Sequence, residues 1–209
     1  MLQHSLETLK IHGRSILEQA DDLEIEGWLE ALDSRTKETN EHILRVTAAT
    51  VILAQTAGMP DIEIPCIKHG ALLHDIGKIG IPDTILLKSG KLTANEWDVI
   101  RKHPGYAYVL LYSVEHLKNC LSIPYSHHEK WDGTGYPQGL KGEEIPLPAR
   151  LFAVADVWDT LSSDRVYRKA WPQKKVTGHI QEQAGFHFDP EVVNLFSRAH
   201  QDLMELYHH

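Results

Sequence analysis

The sequence predicts an all-α protein, and three observations carry that expectation. Apolar residues recur at intervals of three and four, helix start and stop signals are frequent, and strand-like alternation is nearly absent. The first 32 residues are amphipathic, with Ile25, Trp28, Leu29 and Leu32 on one helical stripe. Ile43, Val46, Thr50, Leu53 and Ala57 continue the spacing until Gly58-Met59-Pro60 supplies a stop. A helix is expected from about Ile64 to Ile76, loosening at Gly77 and Gly80. Thr93-Ala94-Asn95-Glu96 has the form of a capping box and opens a helix towards His103, where Pro104 ends that helix or starts the next. Residues 130–148 hold Gly133, Gly135, Gly139, Gly142, Pro137, Pro146 and Pro148 and read as an ordered functional loop. A buried helix from Pro148 to Leu161 follows, then terminal helices over Pro172–Gly185 and Pro190–Tyr207.

The 209 residues suffice for one large domain, and 42% apolar with 24% charged residues is ordinary for a globular chain. The division expected is an N-terminal helix or linker over residues 1–24 and one domain over 25–209. The first stretch reads as a link to an upstream sensor or as a homodimer contact. No segment has the length of uncharged apolar sequence that a membrane span needs, and the N-terminus lacks a signal-peptide core. A formal charge of −8 argues against a DNA- or RNA-polymer binder, yet bound cations would reverse the local sign and admit a small phosphorylated substrate. Cys66 and Cys120 lie far apart and are expected as buried thiols in a reducing cytoplasm.

Polar groups with metal-ligand chemistry interrupt the apolar segments. Glu38 and His42 are four apart and share a helical face. His74 and Asp75 end an apolar run; if helical they diverge by about 100°, so that they serve one ion from a helix end or Asp75 bridges two. His103 precedes a proline at a helix break, and His127 and His128 diverge in the same way towards different ions. Asp156 lies within Leu151–Val157, where an uncompensated carboxylate is costly. Taken singly, each has a structural explanation: a hydrogen-bonded histidine, a capping or salt-bridged aspartate. Taken jointly, they point to a multi-metal site. Mixed imidazole and carboxylate ligands suit iron, manganese, nickel or zinc, and the lack of thiolates disfavours structural zinc. Two or three divalent ions against Glu38, Asp75 and Asp156 leave the centre cationic, which attracts a phosphodiester and acidifies water.

Four blocks in order are HDIGKIGIPDTIL from His74, HPGYAYVLL from His103, HHEKWDGTGYPQGLKGEEIPLPAR from His127 and ADVWDTLSSDRVYRKAW from Ala155. On these the chain resembles the HD-GYP family of the HD phosphohydrolase superfamily over about residues 25–200. The resemblance implies an HD-type helical bundle and metal-dependent hydrolysis of cyclic di-GMP to linear pGpG or onward to GMP. It implies that His42, His74, Asp75 and Asp156 form the basic metal set, that His103, His127 and His128 add ligands, and that Glu38 serves a third ion, with iron or manganese bound. Lys78 corresponds to a lysine that meets phosphate, and Arg165 and Arg168 to basic positions that clamp it; without the resemblance, Arg165, Arg168 and Lys169 read as a solvated basic turn. Asp75 and Lys78 are the catalytic expectation, while Gly135, Tyr136 and Pro137 shape the loop. Asn40 and Val166 stand where the family commonly has glycine and proline, and neither removes a ligand. The competing expectations are a receptor that binds the messenger without turnover and an enzyme for another cyclic dinucleotide.

Overall fold

The computed structural model describes residues 23–33, 39–164 and 168–208. Glu38, Arg165, Val166 and residues 1–22 of the linker expected over 1–24 therefore lie outside the described residues. The helices are α1 (Leu23–Asp33), α2 (Asn40–Thr56), α3 (Ile64–Leu72), α4 (Asp83–Leu86), α5 (Ala94–Ile100), α6 (His103–Tyr112), α7 (Ser122–Ser126), α8 (Leu147–Ser162), α9 (Gln173–Glu182), α10 (Pro190–Arg198) and α11 (His200–His208). No sheet forms among the described residues; an isolated bridge pairs Ala184 with Phe188.

Local chemistry explains several boundaries. Thr39 caps α2 by accepting from the His42 amide, which fixes His42 in the first turn. The capping box at Thr93 is present in full: its hydroxyl accepts from the Glu96 amide at 3.3 Å, and Glu96 accepts from the Thr93 amide at 2.7 Å. Pro104 starts α6, where its missing N–H costs nothing.

Two apolar clusters result. In the larger, α2 and α8 meet through Val46, Leu53, Leu151, Phe152 and Trp158, closed by Val176, Ile180, Phe196 and Leu203 from the terminal helices. The smaller joins Ile25, Ile43, Leu72, Leu73, Ile76 and Leu111. Asp189 ties the terminal helices on: one oxygen accepts from the Glu191 amide at 2.8 Å and the other from Arg150 at 2.6 Å.

Three expectations are corrected. The helix expected to Ile76 ends at Leu72, so His74 and Asp75 sit in the turn before a 3-10 segment, Ile76–Gly80. Close packing follows the break: α6 lies so near Gly77 that a Cβ there would stand 1.9 Å from the His103 carbonyl oxygen and 2.6 Å from the Ala107 nitrogen. The last helix is two, with buried Ala199 turned between α10 and α11. Cys66 and Cys120 form a disulfide rather than separate thiols, because α3 and the segment before α7 bring them together across 54 residues of sequence. A loop of that length limits the unfolded chain by about 4 kcal/mol in the chain-entropy account. Reduction is expected to lower stability by that order, read as a shift of the urea midpoint with and without dithiothreitol.

Candidate metal centre

His74 and Asp75 lie at the seam of the two clusters. Leu73 belongs to the smaller one, and the His74 ring meets Phe152 of the larger at 4.8 Å. Around them α2 delivers His42, α6 opens on His103, the end of α7 delivers His127 and His128, and α8 delivers Asp156.

The imidazoles are oriented by their outer nitrogens. His74 Nδ1 lies 2.8 Å from the Ala71 carbonyl and His103 Nδ1 2.8 Å from that of Ile100. His127 Nδ1 is shared between the carbonyls of Ile123 and Pro124 at 3.1 and 3.2 Å. A carbonyl can only accept, so each Nδ1 carries the proton and each Nε2 presents a lone pair inward. His103 and His127 then face each other Nε2 to Nε2 at 3.3 Å, with Asp75 Oδ1 at 3.1 Å from the first and 3.8 Å from the second. Asp75 Oδ1 is buried without a hydrogen-bond donor. Three electron-rich atoms converging in this way repel one another unless a cation lies among them, and a buried orphan acceptor carries its own cost. One ligand atom each from Asp75, His103, His127 and His128 falls within 4.8 Å of the others. The donor set fits a divalent cation.

Electrostatics agrees. Burial, reinforced by His128 and His74, holds His127 well below the usual histidine range, and burial with His103 lowers His128 to about 3. Both are thus neutral, the form that donates a lone pair to a metal. Asp75 is also held low: burial opposes ionisation, but Lys78 and His74 outweigh it.

The second oxygen of Asp75 faces a different group. Oδ2 lies 3.2 Å from His74 Nε2 and accepts from the Lys78 ammonium. The two oxygens of Asp75 therefore address two sets of imidazoles. On the far side, His42 stands between carboxylates, with Nδ1 at 2.6 Å from Asp159 Oδ2 and Nε2 at 3.4 Å from Asp156 Oδ1. Burial opposes charge there, but hydrogen bonds to Asp156 and Asp159 raise His42 to about 9, so the position favours positive charge.

Some sequence expectations change at this level. His127 and His128 do not diverge: their rings are 4.0 Å apart and both join the cluster of Asp75 and His103. Asp156 is not the most deeply buried carboxylate of α8, though burial opposes its ionisation too and His42 outweighs it. Its side chain is 32% exposed, whereas Asp159, one turn on, is 0% exposed. Both bear a desolvation cost; Asp159, the more enclosed, meets it by accepting from Arg45 Nε at 2.6 Å, Tyr207 at 2.6 Å and His42. Arg168 is engaged on the end of α8, donating to the carbonyls of Thr160 and Leu161, and lies over Trp171. Lys169 is exposed and paired with Asp164, the solvated reading of that turn.

The loop of residues 130–148 packs against the histidine pair through Tyr136. Tyr136 stacks on His128 with ring centroids 4.7 Å apart, and burial pushes its phenol up to about 12, so it stays protonated and serves as packing. A Cβ at Gly135 would stand 2.4 Å from the Lys130 nitrogen and 2.6 Å from the His128 carbonyl oxygen; only glycine lets the loop press against the histidine pair. Pro137 follows through a cis peptide bond. Sequence reasoning missed Glu129, whose buried carboxylate accepts the amides of Gln138 at 2.7 Å and Leu140 at 3.1 Å and so fastens the loop beside the site. It also missed Asp159, Arg45 and Tyr207. The spacings His42–Arg45 and Asp156–Asp159, each one turn on the same face, were the available signal.

Fold and site define a helical protein with an imidazole–carboxylate metal centre at a break between helices. Residues 28–192 match the HD domain family, and the chain belongs to it. Divalent-metal binding follows from that membership and from the cluster at Asp75. A cyclic di-GMP phosphodiesterase of Vibrio cholerae serotype O1 is 42% identical over 192 residues, covering 85% of this chain and 39% of the relative. A 3′3′-cGAMP-specific phosphodiesterase of the same organism is 40% identical over 167 residues, 79% of this chain and 32% of the relative. The cyclic di-GMP phosphodiesterase response regulator RpfG of Xanthomonas campestris is 36% identical over 204 residues, 97% of this chain and 54% of the relative. The chain thus spans from 32% to 54% of the length of these relatives. The crystal structure of a cyclic GMP-AMP-specific phosphodiesterase of V. cholerae superposes with a TM-score of 0.58 at 20% identity, over 85% of this chain and 48% of the other, which supports the HD-type helical fold.

Proposed function

We propose that this domain is a metal-dependent phosphodiesterase that hydrolyses cyclic di-GMP to pGpG. The observation that carries the reading is the convergence of His103 Nε2, His127 Nε2 and the orphaned Asp75 Oδ1, a pocket of lone pairs suited to a divalent ion. His42, His74, Asp75, His103, His127, His128 and Asp156 would hold two ions, and Glu38 a third. Iron or manganese suits this ligand set. The ions supply Lewis acidity and lower the pKa of a bound water. In the reaction, water attacks phosphorus, the bond to the 3′ oxygen breaks, and that oxygen takes a proton. Lys78 turns its ammonium from Asp75 towards a phosphate oxygen, and on the family resemblance Arg165 and Arg168 would add positive charge towards the phosphate, Arg168 by leaving the carbonyls of Thr160 and Leu161. The loop of Gly135, Tyr136 and Pro137 keeps His128 in place. The activities for which the relatives are named support the substrate class.

A second reading rests on the relative specific for 3′3′-cGAMP, whose identity to this chain is close to that of the cyclic di-GMP enzyme. The metallated protein, loaded with iron(II) or manganese(II) under anaerobic conditions, is expected to convert cyclic di-GMP to pGpG, followed by chromatography. Offering both dinucleotides in one pot decides between the readings. Tight nucleotide binding without product from fully metallated protein would replace both with a receptor.

No described helix is long and apolar enough to cross a membrane. Cytoplasmic residence belongs to the proposal, and in a reducing compartment the Cys66–Cys120 pair would stand as two thiols. A helix or linker before residue 25 that joins a sensor or a second copy also belongs to it.

A further inference from the structure

We propose that the cleft between α5, α6 and the Tyr136–Pro137 loop is a guanine-binding subsite; the inference rests on the cyclic-dinucleotide reading. The cleft is about 530 Å³ in volume, and Asp98, Arg101, Tyr106, Tyr125 and Tyr136 are among its lining residues. It neighbours the metal centre across one ring, since Tyr136 lies in its wall and stacks on His128. Arg101 stands over the same ring, its guanidinium carbon 5.7 Å from the centroid. Tyr106 is set by the 3-10 segment that follows the His74-Asp75 turn. A Cβ at Gly80 would lie 2.8 Å from the Tyr106 ring, so glycine there lets the ring lie against the backbone with one side open.

These groups match the edges and faces of guanine. Aromatic rings offer stacking surfaces worth about 1–3 kcal/mol per base. A guanidinium donates to guanine O6 and N7, and a carboxylate accepts from its N1 and N2 hydrogens. Adenine reverses this pattern, placing an amino group where guanine has O6 and a lone pair where guanine has N1–H. Asp98 and Arg101 are at hand for this exchange. They form only a loose pair, 3.9 Å apart with both side chains more than half exposed, so a base displaces little of value. The subsite accommodates cyclic di-GMP and 3′3′-cGAMP alike, since each carries a guanine.

The test uses metallated protein with GMP and AMP as probes, by calorimetry, alongside steady-state kinetics. Wild-type protein is expected to bind GMP more tightly than AMP. Arg101→Ala is expected to weaken GMP and raise KM for the dinucleotide by about tenfold, with AMP affinity and metal content unchanged. Asp98→Asn should act in the same direction. Equal wild-type affinity for GMP and AMP, or selectivity untouched in Arg101→Ala, overturns the subsite even if hydrolysis is intact. Selective GMP binding lost in Arg101→Ala, in a protein that hydrolyses neither dinucleotide, upholds the subsite and sinks the phosphodiesterase reading instead.

Discussion

Asp75→Ala is expected to remove metal retention and turnover together, with activity falling by more than about a thousandfold. Each oxygen of this carboxylate serves a different neighbour set, Oδ1 towards His103 and His127 and Oδ2 towards His74 and Lys78. Its removal therefore withdraws charge from both halves of the centre, and it also strips Lys78 of a partner. Elemental analysis of protein purified without oxygen measures the first effect, and product formation from cyclic di-GMP the second. Asp75→Asn preserves shape and should fold, yet it halves the acceptor capacity and removes the negative charge, so it should fail almost as completely. Turnover by either variant near the wild-type rate would show that Asp75 is not the shared ligand.

Asp159→Ala should be the most damaging substitution for stability. Asp159 is fully buried and satisfies Arg45, Tyr207 and His42, with Arg45 itself largely buried. Removing one member of a buried ion pair leaves an uncompensated charge, at about 3–5 kcal/mol. For a chain of this size that corresponds to a fall in Tm of roughly 6–20 °C. His42 would also lose the acceptor on Nδ1, and loss of such an outer partner typically weakens metal binding about 10–100-fold. Asp159→Asn separates the two effects, since it keeps an acceptor but not the charge. A melting temperature within a degree or two of wild type for Asp159→Ala would refute the buried-network account.

Much of the centre was legible because metal ligands are costly in apolar surroundings, and that cost shows in sequence. His74-Asp75 ending an apolar run, His103 before a proline and the His127-His128 pair all stood out in this way, and Asp75, His103, His127 and His128 meet in space. The helical fold was legible for a related reason: three- and four-residue spacing reports one buried face per helix. Less legible was anything decided by close approach between distant elements. Gly77 and Gly80 announced that the helix loosens, but not that it ends before His74 or that α6 lies against Gly77. Asp156 drew notice for a desolvation cost that Asp159 bears as well, because the pattern of neighbours cannot say which of two acidic residues on adjacent turns lies deeper. Glu129 resembled an exposed loop residue until its amide partners, nine and eleven positions on, were seen to fold back over it. The pairing of Cys66 with Cys120 likewise depends on helices meeting.

The anchoring of the imidazoles has a consequence for how such a site can vary. His74, His103 and His127 hang from main-chain carbonyls, which no side-chain substitution can replace. His42 hangs from the carboxylate of Asp159, a group a single codon can alter. A carboxylate makes its imidazole a stronger base than a neutral acceptor would. Drift or selection therefore finds three corners of this centre rigidly inherited with the backbone and one that is adjustable, at the edge where α2 meets α8.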